Sequence, residues 1–163
     1  MPMSRRLLLA AGAAAIAIVG AATLVRGPGG LDTQLTRFNT LDSPSGAAIK
    51  GYDPVAYFVD GAPKLGKAEF TAEHGGVRWQ FSSAGNKQRF LREPDKYLPA
   101  FGGYCAYGVA QGYLVKIDPK AWSIRQGTLY LNYDPGVQKQ WEKDPEGFID
   151  TARKAWPDLI KQI

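Results

Sequence analysis

Two residue pairs, Gly75-Gly76 and Gln126-Gly127, each separate short runs of β-prone residues, and this predicts two tight antiparallel hairpins. The first hairpin joins Ala68–Ala72 to Val77–Phe81, and the second joins Trp122–Ile124 to Leu129–Asn132. A lone two-stranded ribbon buries little surface, so helices must cover both. Their starts are legible. Ser82-Ser83 can cap a helix over residues 84–92, which Glu93-Pro94 ends. Asp134-Pro135 opens a helix to about Lys143, and Asp144-Pro145 opens another that runs to the end. In these last two, Trp141, Phe148, Ile149, Ala152, Trp156, Leu159 and Ile160 recur at helical spacing and predict a buried face. Asp53-Pro54 starts a further helical turn, and Tyr104–Ala110, between Gly102-Gly103 and Gln111-Gly112, forms a short helix. No internal repeat is visible. The expected fold class is α+β, a small antiparallel sheet of two hairpins packed with short helices and two C-terminal helices.

The front of the chain is different in character. Ser4-Arg5-Arg6 precedes an uncharged stretch from Leu7 to Val25 that is rich in Ala, Leu, Ile and Val. Around 20 apolar residues cross a membrane core, so residues 1–26 fit either an export signal or an N-terminal membrane anchor. The pair Arg5-Arg6 with Leu8 and Leu9 behind it resembles a twin-arginine signal, and a positive flank on any signal or anchor would read the same way. The expected location is periplasmic or otherwise extracytoplasmic, with a tether to the inner membrane left open. Residues 27–49, rich in Gly, Pro, Ser and Thr, read as a linker, and residues 50–163 as one domain with a C-terminal helical extension. Arg5, Arg6 and Arg26 account for most of the basic excess, and no run of Lys and Arg occurs elsewhere. A nucleic-acid partner, which needs a clustered basic face, is therefore not expected.

One cysteine, Cys105, and one histidine, His74, are the only soft or borderline metal donors of their types. A single cysteine excludes an internal disulfide. If the first hairpin presents His74 toward Cys105, the two could hold a copper or zinc ion, with an Asp, a Tyr or water completing the shell. Otherwise Cys105 is a small buried hydrophobe and His74 a turn residue. A thiol nucleophile with His74 as base needs a lowered thiol pKa, and no third orienting group can be named. The aromatic residues, with Tyr104, Trp122 and Tyr130 foremost, suggest instead a surface or pocket for a small ligand or a protein partner. Asp118-Pro119 reads as a turn cap. Phosphate loops, dinucleotide fingerprints and nucleophile elbows are missing from the sequence.

The stretch from GYDPVAYF through GGVRWQFSSAGNKQRFLREPDKYLPAFGGYCAYGVAQG, then DPKAWSI and GTLYLNYD, resembles the YHS-domain family, in particular its small exported stand-alone members. The resemblance spans about 85 residues, Gly51 to Asp134. Relatives of the TRASH type and modules appended to heavy-metal pumps imply metal handling, through a Cys after the Asp-Pro-Val run and two in a Phe-Cys-Ser-x-x-Cys run. Here those places hold Ala56, Ser82 and Asn86. A soft thiolate site cannot be rebuilt from such side chains. The resemblance leaves His74 and Cys105 as the expected metal residues and implies no catalytic activity.

Overall fold

The computed structural model describes residues 24–26 and 32–163. The Arg5-Arg6 pair and the apolar run as far as residue 23 lie outside the described residues. A short strand β1 (Leu24–Arg26) pairs antiparallel with β2 (Asp32–Gln34). Among the described residues no helix is long and apolar enough to cross a membrane.

The segment expected to be a linker joins the core from Phe38 onward. Phe38, Asn39, Ala47, Ala48 and Ile49 are all buried. Phe38 meets Trp79 edge-on at 5.3 Å and fills the space that a side chain at Gly75 would need, since a Cβ there would fall 2.3 Å from Phe38 Cε2. Composition alone misses such a segment, because one ring of this size contributes about 2 kcal/mol on burial and offsets the ordering of its neighbours. Asn39 anchors it further. Its N–H donates to Gly102 O, its Nδ2 to Gly103 O, and its carbonyl accepts from Ile49 N–H.

From residue 48 the chain runs through the same order of elements twice. A left-handed turn over residues 48–51 leads to α1 (Ala56–Val59), then a hairpin of β3 (Lys67–His74) and β4 (Val77–Phe81). The capped helix α2 (Ala84–Arg92) and the Pro-started α3 (Pro94–Tyr97) follow. A second left-handed turn over residues 100–103 then leads to α4 (Ala106–Ala110) and a hairpin of β5 (Asp118–Arg125) and β6 (Thr128–Asn132). The capped α5 (Pro135–Trp141) and the Pro-started, longer α6 (Pro145–Leu159) complete it.

The correspondence extends to register. Lys67 pairs with Phe81 and Asp118 with Asn132, an offset of 51 residues, and the other four partner pairs of the hairpins keep that offset. Both hairpins carry a register shift at the same place, between Lys67 and Thr71 and between Asp118 and Trp122. Both turn through two residues of positive φ, Gly75-Gly76 and Gln126-Gly127, as a tight primed turn requires. The left-handed turns match too, with Ile49, Lys50 and Gly51 at 45°, 58° and 78°, and Phe101, Gly102 and Gly103 at 52°, 62° and 81°. The expectation of no internal repeat is thus overturned. The identities that survive between the halves are few and lie mostly at turns and helix starts, at Ala48 and Ala100, Gly51 and Gly103, Tyr52 and Tyr104, Gly76 and Gly127, Gly85 and Gly136, Pro94 and Pro145. The core positions differ, and a repeat written mainly in turns escapes inspection.

The α+β class and the two hairpins are as expected, each hairpin forming its own two-stranded sheet. The main core gathers Trp79, Phe81, Phe90 and Tyr57 of the first unit with Ile117, Leu129 and Leu131 of the second. On the other face of β6, Tyr130 packs with Ala106, Trp141 and Ile149. The helices expected to be a C-terminal extension are the closing elements of the second unit.

Candidate functional site

Asp53 is wholly buried at the entry to α1, and both of its carboxylate oxygens are engaged. Oδ1 accepts the backbone N–H groups of Val55 (2.8 Å) and Ala56 (3.3 Å), which stand exposed at a helix start and need an acceptor. Oδ2 accepts the N–H of Ser82 (2.8 Å), the hydroxyl of Ser82 (2.7 Å) and Nδ2 of Asn86 (2.7 Å). Asn86 reaches this point because α2, capped by Ser83, presents it one turn in, on the inner face. Five donors therefore converge on one carboxylate and tie α1 to the junction of β4 and α2. Ala56, Ser82 and Asn86 are the three places that hold thiolates in the metal-binding relatives, and the fold brings all three to Asp53.

The expected metal residues are placed elsewhere. His74 ends β3; its carbonyl accepts Trp79 Nε1–H at 3.1 Å, and its half-buried ring lies 6.3 Å from the Phe38 ring and edge-on to Phe90 at 5.6 Å. Cys105 is buried at the start of α4, its Sγ accepting the N–H of Gly108 at 3.3 Å and lying 3.8 Å from Asn132 Oδ1. Burial pushes this thiol up, while the N–H groups of Gly108, Tyr133 and Tyr107 act in the opposite direction. The ring and hydrogen-bond partners of His74 and of Cys105 have no residue in common.

A copper or zinc site needs deprotonated sulfur and further donors within about 2 Å of one point. Around His74 stand two phenyl rings, and around Cys105 stand backbone N–H groups and an amide. Among the described residues no three of His, Cys, Asp and Glu are grouped to hold a metal ion. The surroundings of these two side chains do not fit the metal the family implies. They do not fit a Cys-His nucleophile either, since the thiol is raised and no base adjoins it.

The aromatic residues singled out from sequence are chiefly core. Tyr104 is fully buried, donates its hydroxyl to Thr36 O at 2.6 Å, and has its pKa raised by burial. Trp122 is half-buried against Tyr57 at 5.3 Å, and Tyr130 is buried, stacked on Trp141 at 5.4 Å. These three therefore make no exposed aromatic surface, because their rings close the two hairpins against the helices. Only the rim of Tyr130 reaches an opening, a cavity of about 160 Å³ shared with Arg125, Glu146, Asp150 and Arg153. Asp118 caps a local turn, accepting Lys120 N–H at 2.9 Å, as its Asp-Pro context predicts.

Sequence reading took Asp53 as a helix cap, which is half of what it does. The remaining half was signalled by the residues that replace the thiolates, a hydroxyl and an amide, both donors able to serve a carboxylate.

No curated protein and no solved structure matches the chain. Residues 55–101 match the family model of the YHS domain, and that span runs from α1 of the first unit to the left-handed turn that opens the second. With the motif order, the hairpin and the convergence of Ala56, Ser82 and Asn86 all lying in or beside that span, the first of the chain's two units carries a YHS domain.

Proposed function

We propose that this chain is an exported, noncatalytic binding module that uses the YHS fold without a resident metal ion. One observation carries the reading: the three places where the resemblance implies thiolates hold Ala56, Ser82 and Asn86, which donate instead to the Asp53 carboxylate, whose two oxygens already accept five hydrogen bonds. A saturated carboxylate has no lone pair directed at a cation, and the donors around it are N–H and O–H groups that repel one. The set of soft donors is also short, since His74 is packed between rings and Cys105 is a raised, buried thiol. The ligand in this reading is a small polar molecule, and the opening beside Tyr130, with its two arginines and two acidic residues, supports that choice over an aromatic surface.

Protein purified under copper- and zinc-replete conditions is expected to carry less than about a tenth of an equivalent of either metal by mass spectrometry, the level of adventitious binding. The double variant His74→Ala, Cys105→Ala should leave that figure unchanged. Near-stoichiometric metal that disappears in the double variant would return the site to those two residues. Export rests on the leader alone. Arg5→Lys with Arg6→Lys is expected to hold the full-length chain in the cytoplasmic fraction, whereas unaltered delivery to the periplasm would point to an ordinary signal or anchor.

A further inference from the structure

The repeat places the chain's one cysteine opposite Asp53. We infer that residues 100–159 are a second, diverged copy of the YHS unit and that Cys105 occupies its copy of the Asp53 node, a nest of donors shaped for a negatively charged group. Three independent pairings support the equivalence. Asp53 N–H donates to Lys64 O at 2.8 Å, and Cys105 N–H donates to Val115 O at 3.3 Å, each tying its turn to the segment before its hairpin. Trp79 and Phe90 pack at 5.5 Å with 34° between their rings, and their counterparts Tyr130 and Trp141 at 5.4 Å with the same 34°. His74 stands on Phe90 at 5.6 Å, and Arg125, 51 residues on, stands over Trp141 at 5.5 Å.

The donors correspond as well. Asp53 accepts from the backbone two and three residues ahead, Val55 and Ala56; two and three ahead of Cys105 are Tyr107 and Gly108, of which Gly108 donates its N–H to the sulfur. Asp53 also accepts Ser82 N–H at the end of β4, and Tyr133 stands at the same place after β6. The side-chain amides differ: Asn86 donates its Nδ2 to Asp53, whereas Asn132 accepts the Cys105 thiol on its Oδ1. The second node is under-filled. One sulfur replaces two oxygens, so Tyr107 N–H turns to Asn132 Oδ1 at 3.3 Å, and the fully buried Asn132 Nδ2 is left without a partner. A carboxylate at residue 105 would take the Tyr107 and Gly108 N–H groups on one oxygen and, with the Asn132 amide turned over, its Nδ2 on the other.

The test is Cys105→Asp, with Val109→Asp as its control, because both positions are buried, one at the N-cap and one within the same short helix, and only the first lies in the node. Thermal unfolding of the full chain by circular dichroism is expected to show a cooperative transition for Cys105→Asp within about 5 °C of the parent, and loss of that transition for Val109→Asp. Adding Asn132→Leu to Cys105→Asp should lower Tm by a further 5 °C or so, since the amide no longer serves the carboxylate. If Cys105→Asp loses its transition as Val109→Asp does, residue 105 lies in an ordinary apolar pocket and the second node does not exist. Metal content, which tests the metal-free reading, is unaffected by either outcome.

Discussion

Asp53→Ala is expected to lower the stability of the domain by about 4 kcal/mol, the largest loss from any single polar substitution in the chain. The carboxylate is wholly buried, and its removal leaves three backbone N–H groups, the Ser82 hydroxyl and Asn86 Nδ2 with no acceptor. Each unpaired buried donor costs roughly 1–3 kcal/mol, partly relieved where water enters the space vacated. Asp53→Asn should recover only the half that faces α1, because its amide nitrogen would meet Ser82 N–H and Asn86 Nδ2, donor against donor. Pairing it with Asn86→Asp reverses donor and acceptor between the two side chains and should regain about 1 kcal/mol over the single variant. Urea unfolding followed by tryptophan fluorescence reads all four proteins. A loss below about 1 kcal/mol for Asp53→Ala would mean that desolvation of the carboxylate cancels its hydrogen bonds, and that the node is not what joins α1 to α2.

The equivalence of Asp53 and Cys105 bears on where such a chain can work. Thiolates at Ala56, Ser82 and Asn86 would be open to oxidation outside the cytoplasm, whereas a carboxylate served by a hydroxyl and an amide is redox-inert. One thiol remains, and it is buried. In the metal-free reading proposed above, the exchange removes a redox liability while keeping α1 and α2 tied, which is consistent with the export proposed from the leader.

Local chemistry was the legible part of this fold. Ser83, Asp134 and Asp144 each accept an N–H from three residues ahead, at Asn86, Val137 and Gly147, so their helices begin where the sequence predicts. The paired turn residues likewise set both hairpins. Features built from distant residues were not legible. Asp53 meets Asn86 across 33 positions, and Asn39 meets Gly103 across 64, with nothing in either neighbourhood to announce the partner. Tyr104 and Tyr130 read as core and rim more readily than as a pocket, and sequence could not say which, because burial depends on which face of each hairpin the helices cover. The repeat stayed hidden for a related reason. Trp79 and Phe90 are replaced by Tyr130 and Trp141, a swap of large and small rings that conserves volume across the pair and erases identity at both positions.

The left-handed turns give the sharpest contrast between the two units. Gly102 has φ of 62°, and a Cβ built on it would lie 2.0 Å from the carbonyl oxygen of Arg37, a backbone atom that cannot swing away. Its counterpart, Lys50, holds φ of 58° with a full side chain, so the turn itself tolerates a Cβ. Gly102→Ala is therefore expected to cost about 3 kcal/mol, most of it from displacing residues 37–39 and with them the bonds of Asn39 to Gly102 and Gly103. Lys50→Gly should stay within about 1 kcal/mol of the parent, since relief of a strained φ offsets the entropy of glycine. Thermal melts of the two variants measure both. If Gly102→Ala were as mild as Lys50→Gly, the segment from Phe38 to Asn39 would not be clasped against the second turn, and the domain would begin near Lys50 after all. A large loss for Gly102→Ala alone places the start of the domain at Phe38 and makes Asn39 the residue that locks the two units together.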